Sequence, residues 1–183
     1  MIFHPTPLAG VLLVRSEPIS DGRGFFARTY CKKEFASVQI YDEFVQCNHS
    51  FNIAKGTIRG LHFQIPPNAE KKYVRCVHGS IFDVVVDIRK DSPTYLQYFN
   101  VELSFFNMLG LIIPEGCAHG FQVLEDDTSI IYHHSEFYHP NAEKGLRYDD
   151  PMLKIQWPLE VKHISDRDKN FAFIDHQFEP LQP

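Results

Sequence analysis

KKYVRCVHGSIFDVVVDI, residues 71–88, decides how this chain folds. Two runs rich in β-branched and aromatic residues, Lys71–Val77 and Ile81–Ile88, flank His78-Gly79-Ser80, a turn signal. Alternation along the first run puts Lys72, Val74 and Cys76 on one face. A lysine with apolar strand neighbours points either into a pocket or out past an edge. The second run is the strongest strand pattern in the chain, and its face of Phe82, Val84, Val86 and Ile88 predicts a core position.

Further strands are predicted on both sides. Downstream are Val101–Leu103 and Leu109–Ile113, separated by a turn-like Ser104–Asn107 region, then Cys117–Leu124 and Ser129–His134. Upstream are Val11–Arg15, Phe44–Ile53 and the stretch Lys55–Lys72, with one short helix over Lys32–Val38. Short strands at near-regular spacing, joined by glycine and proline turns, imply an all-β antiparallel sandwich or jelly-roll barrel. Helical periodicity is too sparse for alternating βαβ units. A length of 183 residues fits a single domain over 1–183, with an ordered core of about 6–173 and a frayed tail at 176–183.

Composition narrows the function classes. A net charge of −5 opposes a broad nucleic-acid or anionic-membrane surface, yet leaves room for a pocket lined by arginines. MIFHPTPLAG lacks the basic region and apolar core of a signal peptide, and no apolar run is long enough to span a bilayer. Cys31, Cys47, Cys76 and Cys117 are scattered without a CxxC pair, which predicts reduced thiols in a cytoplasmic protein.

Within KGTIRGLHFQIPPNAEKK (55–72), Arg59, His62 and Lys72 bring a cation, an imidazole and an amine to one segment. Such groups are costly to bury unless they are paired, so an anion or a developing anion is expected there. Arg59 and His62 are three residues apart, which regular alternation would place on opposite faces. For both to meet one ligand the strand needs a twist or bulge, and Gly60 is the place for it. His62, Lys72, His119 and Tyr132 would then converge inside the barrel. No metal is expected, because His62 is followed by Phe63 and Gln64 rather than by a His-x-His pair, and the adjacent His133 and His134 face opposite sides. Without metal the inward groups suit proton transfer: an imidazole base, an opposed phenol acid, and a lysine to stabilise an enolate. A sugar- or nucleotide-binding barrel without catalysis is the competing reading.

The segments DGRGFF (21–26), VQCNHS (45–50), IRGLHFQ (58–64), FDVVVDIRKDSPT (82–94), PEGCAHGFQVL (114–124), GLRYDDP (145–151) and IQWP (155–158) together resemble the dTDP-4-dehydrorhamnose 3,5-epimerase family. The resemblance runs in order from about Thr6 to Phe173. It implies a cupin-type jelly roll with a few short helices and a homodimer. The implied enzyme is a cofactor-independent epimerase acting on a nucleotide-diphosphate-linked 4-keto-6-deoxyhexose, serving surface-polysaccharide synthesis such as O-antigen and lipopolysaccharide.

By that resemblance His62 is the base, Asp168 the carboxylate that orients it, Lys72 the enolate-stabilising cation and Tyr132 the acid. Arg23 and Arg59 match diphosphate contacts, and Gln46, Asn48, His119 and Glu143 line the nucleotide-sugar site. Tyr138 stacks on the base, Phe26 lies near it, and Arg167 stands where the family commonly has lysine. DGRGFF is expected to reach a partner's pocket. Asp168 also has a bland alternative, since Ser165-x-x-Asp168 is a capping-box spacing that starts a helix without catalysis. One departure bears on specificity: Arg28 stands where the family usually has glutamate. Arginine has five donors and no acceptor, so it cannot accept from thymine N3–H and would instead suit cytosine, which makes a CDP-linked sugar the alternative substrate.

Overall fold

The computed structural model describes residues 1–182. In chain order the strands are β1 (Ile2–Pro5), β2 (Leu12–Arg15), β3 (Ile19–Asp21) and β4 (Gly24–Phe26), followed by helix α1 (Lys32–Ala36). Then come β5 (Gln46–Asn52), β6 (Ile58–Gln64), β7 (Lys72–His78), β8 (Ser80–Asp87), β9 (Tyr98–Ser104), β10 (Leu109–Ile113), β11 (Cys117–Val123), β12 (Thr128–His134) and β13 (Glu143–Gly145), with helix α2 (Asp166–Lys169) last. A six-stranded sheet ordered β1-β2-β10-β7-β12-β5 faces a five-stranded sheet ordered β13-β6-β11-β8-β9, and β3–β4 form a separate hairpin. All pairings within these sheets are antiparallel. The chain is therefore all-β with two short helices, a sandwich as the strand spacing implies.

Three apolar clusters hold the layers. The interior is filled by Val74, Cys76, Ile81, Val85, Leu111, Phe121 and Ile130, among others. Each aliphatic side chain buried there stabilises the fold by about 2 kcal/mol. A second cluster lies on the outer face of the five-stranded sheet, where Val84, Val86 and Ile88 pack under Ile155, Trp157, Ile174, Phe178 and Leu181. The third covers the six-stranded sheet, where Phe35 of α1 packs against Tyr73.

The apolar face of β8 is core, as its pattern predicts, and packs beneath the C-terminal segment; the opposite face, with Ile81 and Val85, supplies the sandwich interior. After residue 175 the chain runs back along the end of β8. Leu181 N–H donates to the Ile88 carbonyl at 2.8 Å and its own carbonyl accepts from Lys90 N–H at 2.7 Å, while Phe178 and Leu181 complete the outer cluster. Periodicity missed this because apolar residues separated by turns carry no strand signal. Between β2 and α1 the chain forms the β3–β4 hairpin, whose Ile19 and Phe26 are 75% and 73% exposed.

Candidate active site

The bulge expected at Gly60 is present, and it builds the site. His119 of β11 lies opposite His62, and Phe121 lies opposite Arg59; between those pairs β6 advances three residues while β11 advances two. The extra residue reverses the parity of β6, so Arg59 and His62 reach the same side. Gly60 sits at φ +113°, and a β-carbon there would lie 2.7 Å from both Gly120 Cα and the His119 carbonyl oxygen. Gly120 is equally constrained, since its β-carbon would meet the Arg59 carbonyl at 2.7 Å. Two facing glycines thus let the strands approach closely enough for the bulge.

On the opposite sheet, register aligns the remaining groups in rows. Gln46, His134 and Lys72 lie side by side across β5, β12 and β7, and Asn48, Tyr132 and Val74 form the next row. His133 pairs across from Tyr73 and packs outward against Tyr30 and Phe44, so the two adjacent histidines face opposite ways. A cavity of about 280 Å³ opens between the sheets, lined by Arg59, His62, Lys72, His119 and Tyr132, with Asn48, Tyr138 and Glu143 also on its wall.

His62 Nε2 lies 2.8 Å from Asp168 Oδ1, and Asp168 Oδ2 accepts from Gly60 N–H at 3.0 Å. Arg167 Nη2 is 3.1 Å from the same His62 nitrogen. One nitrogen cannot donate to a carboxylate and accept from a guanidinium at once. The shorter, charge-assisted contact to Asp168 decides it, fixing Nε2–H and leaving Nδ1 to take a proton. The helix-capping alternative is also realised, but by Ser165, whose Oγ accepts from Asp168 N–H at 3.1 Å while the Asp168 carboxylate turns to His62 and Gly60. Burial works to raise the Asp168 pKa, yet the His62 hydrogen bond and charge, aided by Gly60 N–H and Ser165, hold it down at about 2. Burial raises the Tyr132 phenol well above its ordinary value, with Ser50 and Arg59 opposing only in part. It therefore keeps its proton at neutral pH.

Lys72 is 8% exposed, and its Nζ lies 3.1 Å from Glu70 Oε1 and donates to the His62 carbonyl at 3.5 Å. An ammonium has three N–H groups, so one remains for a ligand. Arg59 Nε donates to Asn52 Oδ1 at 2.6 Å, which orients the fork and leaves its terminal nitrogens free for an anion. His119 Nε2 is held by Asp83 Oδ2 at 2.9 Å. At the rim, Tyr138 O–H donates to Glu143 Oε2 at 2.7 Å, Arg167 Nη1 donates to the same oxygen at 2.7 Å, and Gln46 Oε1 accepts from Tyr138 N–H at 3.1 Å.

Three of the expected binding residues are not brought to this cavity within the chain. Arg23 is on the exposed hairpin, its guanidinium turned back onto Asp21 at 2.6 Å. Phe26 projects from the same hairpin into solvent. Arg28 is bound to Glu34 Oε1 at 2.9 Å, a carboxylate that also holds the N-terminal ammonium at 2.6 Å. The base-reading role foreseen for Arg28 gains no support from that placement. Conversely, sequence reasoning passed over Glu70, His134, Asn52 and Asp83. Asn52 shares strand parity with Gln46 and Asn48 and so was within reach of the alternation rule, whereas Glu70 precedes the first residue of β7. Among the described residues no group of three or more His, Cys, Asp or Glu is placed to hold a metal ion, and no helix is long and apolar enough to cross a membrane.

Residues 5–176 match the family described as dTDP-4-dehydrorhamnose 3,5-epimerase. The chain is 44% identical over 175 residues to the dTDP-4-dehydrorhamnose 3,5-epimerase of Shigella flexneri, covering 94% of this chain and 96% of that one. Among solved structures it resembles the Bacillus anthracis str. Ames enzyme of the same name with TDP and PPi bound, at TM-score 0.92 and 37% identity, over 94% of this chain and 99% of the other. It also resembles the Legionella pneumophila dTDP-6-deoxy-D-glucose-3,5-epimerase in complex with dTDP-4-keto-L-rhamnose, at TM-score 0.91 and 36% identity, over 100% and 98% of the two chains.

Proposed function

The chain belongs to the dTDP-4-dehydrorhamnose 3,5-epimerase family, and on that premise we propose that it inverts C3 and C5 of a dTDP-linked 4-keto-6-deoxyhexose in deoxysugar biosynthesis. The observation that carries the reading is one cavity lined by an imidazole backed by a buried carboxylate, an ammonium and a protonated phenol. The C4 ketone acidifies the hydrogens on C3 and C5. His62 Nδ1 takes one of these protons, the electron pair moves into a C=C bond, and the C4 oxygen becomes an enolate facing Lys72. Tyr132 O–H then gives a proton to the opposite face, and solvent resets both groups. No bond order is left unbalanced and no redox partner is needed.

A cavity of about 280 Å³ accommodates a hexose but not its nucleotide. The diphosphate therefore crosses the rim at Arg59, and the base lies against Tyr138. Arg23 and Phe26, on a hairpin that projects away from its own cavity, fit delivery to a second copy of the chain, so the working form is a homodimer of single-domain subunits in the cytoplasm. Arg28 serves Glu34 in this arrangement, and a CDP-linked substrate has no observation in its favour.

Incubation with dTDP-4-keto-6-deoxyglucose in D₂O is expected to place deuterium at both C3 and C5, with far slower reaction of the CDP-linked analogue. Absence of exchange with either sugar would overturn the reading. Tyr132→Phe separates the two half-reactions. His62 in that variant still removes and returns a proton on one face, so NMR is expected to show hydrogen exchange while inversion falls by about 10²-fold or more. Equal loss of exchange and inversion would remove Tyr132 from the acid role.

A further inference from the structure

Glu70 and His134 line the cavity with side chains only 8% and 12% exposed, and neither takes part in the proton transfers to His62 and from Tyr132. The two oxygens of Glu70 are divided. Oε1 lies 3.1 Å from Lys72 Nζ, and Oε2 accepts from His134 Nδ1 at 2.7 Å. His134 is held from its other side, with Nε2 3.3 Å from Asn48 Nδ2, and Asn48 Oδ1 accepts from Gln46 at 3.3 Å. The network thus crosses three strands of one sheet on the cavity face, ending at the ammonium that faces the substrate.

A carboxylate beside that ammonium poses a physical problem. Left alone with Lys72, Glu70 would cancel the charge that a developing oxyanion requires. Removed altogether, it would leave a buried ammonium without a counter-charge, at a desolvation cost. Sharing the carboxylate between Lys72 and His134 meets both demands. Burial works to raise the Glu70 pKa, but the His134 hydrogen bond and the Lys72 charge outweigh it, so the carboxylate stays ionised and both contacts persist.

We propose that Glu70 and His134 are a coupled pair of positioning residues, in which His134 draws one carboxylate oxygen aside so that Glu70 anchors the Lys72 ammonium without neutralising it. The inference rests on the reading of Lys72 as the group facing the C4 oxygen. Loss of the histidine lets Glu70 close onto Lys72 and withdraws charge from the enolate; loss of the glutamate as well releases it again.

The test is a double-mutant cycle of wild type, Glu70→Gln, His134→Phe and the double variant, with kcat and KM for dTDP-4-keto-6-deoxyglucose. His134→Phe keeps a ring of similar shape and removes both nitrogens. Its kcat is expected to fall about tenfold with KM changed less than about twofold, and the double variant to recover to within about threefold of Glu70→Gln alone. Purely structural roles predict losses that multiply, and that result, or a His134→Phe kcat within about twofold of wild type, overturns the proposal. Melting temperature and dTDP affinity check the fold of each variant. If His134→Phe does not fold, His134→Asn, too short to reach Glu70, completes the same cycle. A wild-type enzyme that neither turns over nor exchanges deuterium overturns the site assignment itself rather than this pair.

Discussion

Asp168→Asn is expected to lower kcat by about 10³- to 10⁴-fold while leaving KM nearly unchanged, as when the carboxylate of a Ser-His-Asp triad is replaced by its amide. The amide oxygen can still accept from Gly60 N–H, so the bulge survives. Its nitrogen cannot accept from His62 Nε2–H, so the tautomer that presents Nδ1 as base is lost. Asp168→Ala should combine the same catalytic loss with about 1–3 kcal/mol of destabilisation, since it leaves the buried Gly60 N–H without a partner. Steady-state kinetics with thermal melts of both variants separate the two effects, and an asparagine variant with near wild-type turnover would reduce Asp168 to a backbone ligand.

A pH profile gives an independent check. The Asp168 carboxyl sits at about 2 in the folded chain against an ordinary value of 3.8. A depressed acid contributes stability that is fully present above its unfolded value and is lost as pH falls through the folded one. On the order of 2 kcal/mol should therefore disappear between about pH 4 and pH 2 in the wild type. That component should be missing from Asp168→Asn.

Gly60→Ala is expected to cost at least about 3 kcal/mol in chemical denaturation and to abolish turnover in whatever fraction remains folded. A β-carbon 2.7 Å from the Gly120 Cα and the His119 carbonyl meets backbone on both counts, so no side-chain rotation relieves it. Separation of β6 from β11 would carry His62 away from the pocket face and Gly60 N–H away from Asp168. A wild-type denaturation midpoint would mean that β6 tolerates regular pairing and that the bulge is not required for the site.

The bulge was legible because two side chains with a shared task stood at spacing three, a conflict with strand alternation that one glycine resolves. Alternation alone left Lys72 to a pocket or an edge and set His133 and His134 on opposite sides; it was the barrel architecture that gathered Lys72, His119 and Tyr132 inside. What escaped detection lacks periodicity. The C-terminal residues that roof β8 reach it through turns, and β3–β4 is too short and too exposed to register as strand. Glu70 precedes its strand and so falls outside the pattern that located Lys72. Arg28 illustrates a different limit. Its chemistry could be read from the residue type, but its partner Glu34 is set by how α1 packs, which no local pattern encodes.

His62 and Asp168 are separated by 106 residues in the chain, and the aspartate rides on a segment that bonds alongside β6 through His163 and Asp168. Closing so long a loop is slower than pairing β6 with β11, where His62 and its cross-strand partner His119 are closer in sequence. During refolding, β structure should accordingly return ahead of enzymatic competence. Turnover then reports the arrival of the last seventh or so of the chain, a stage that spectroscopy of the sheets alone would pass over.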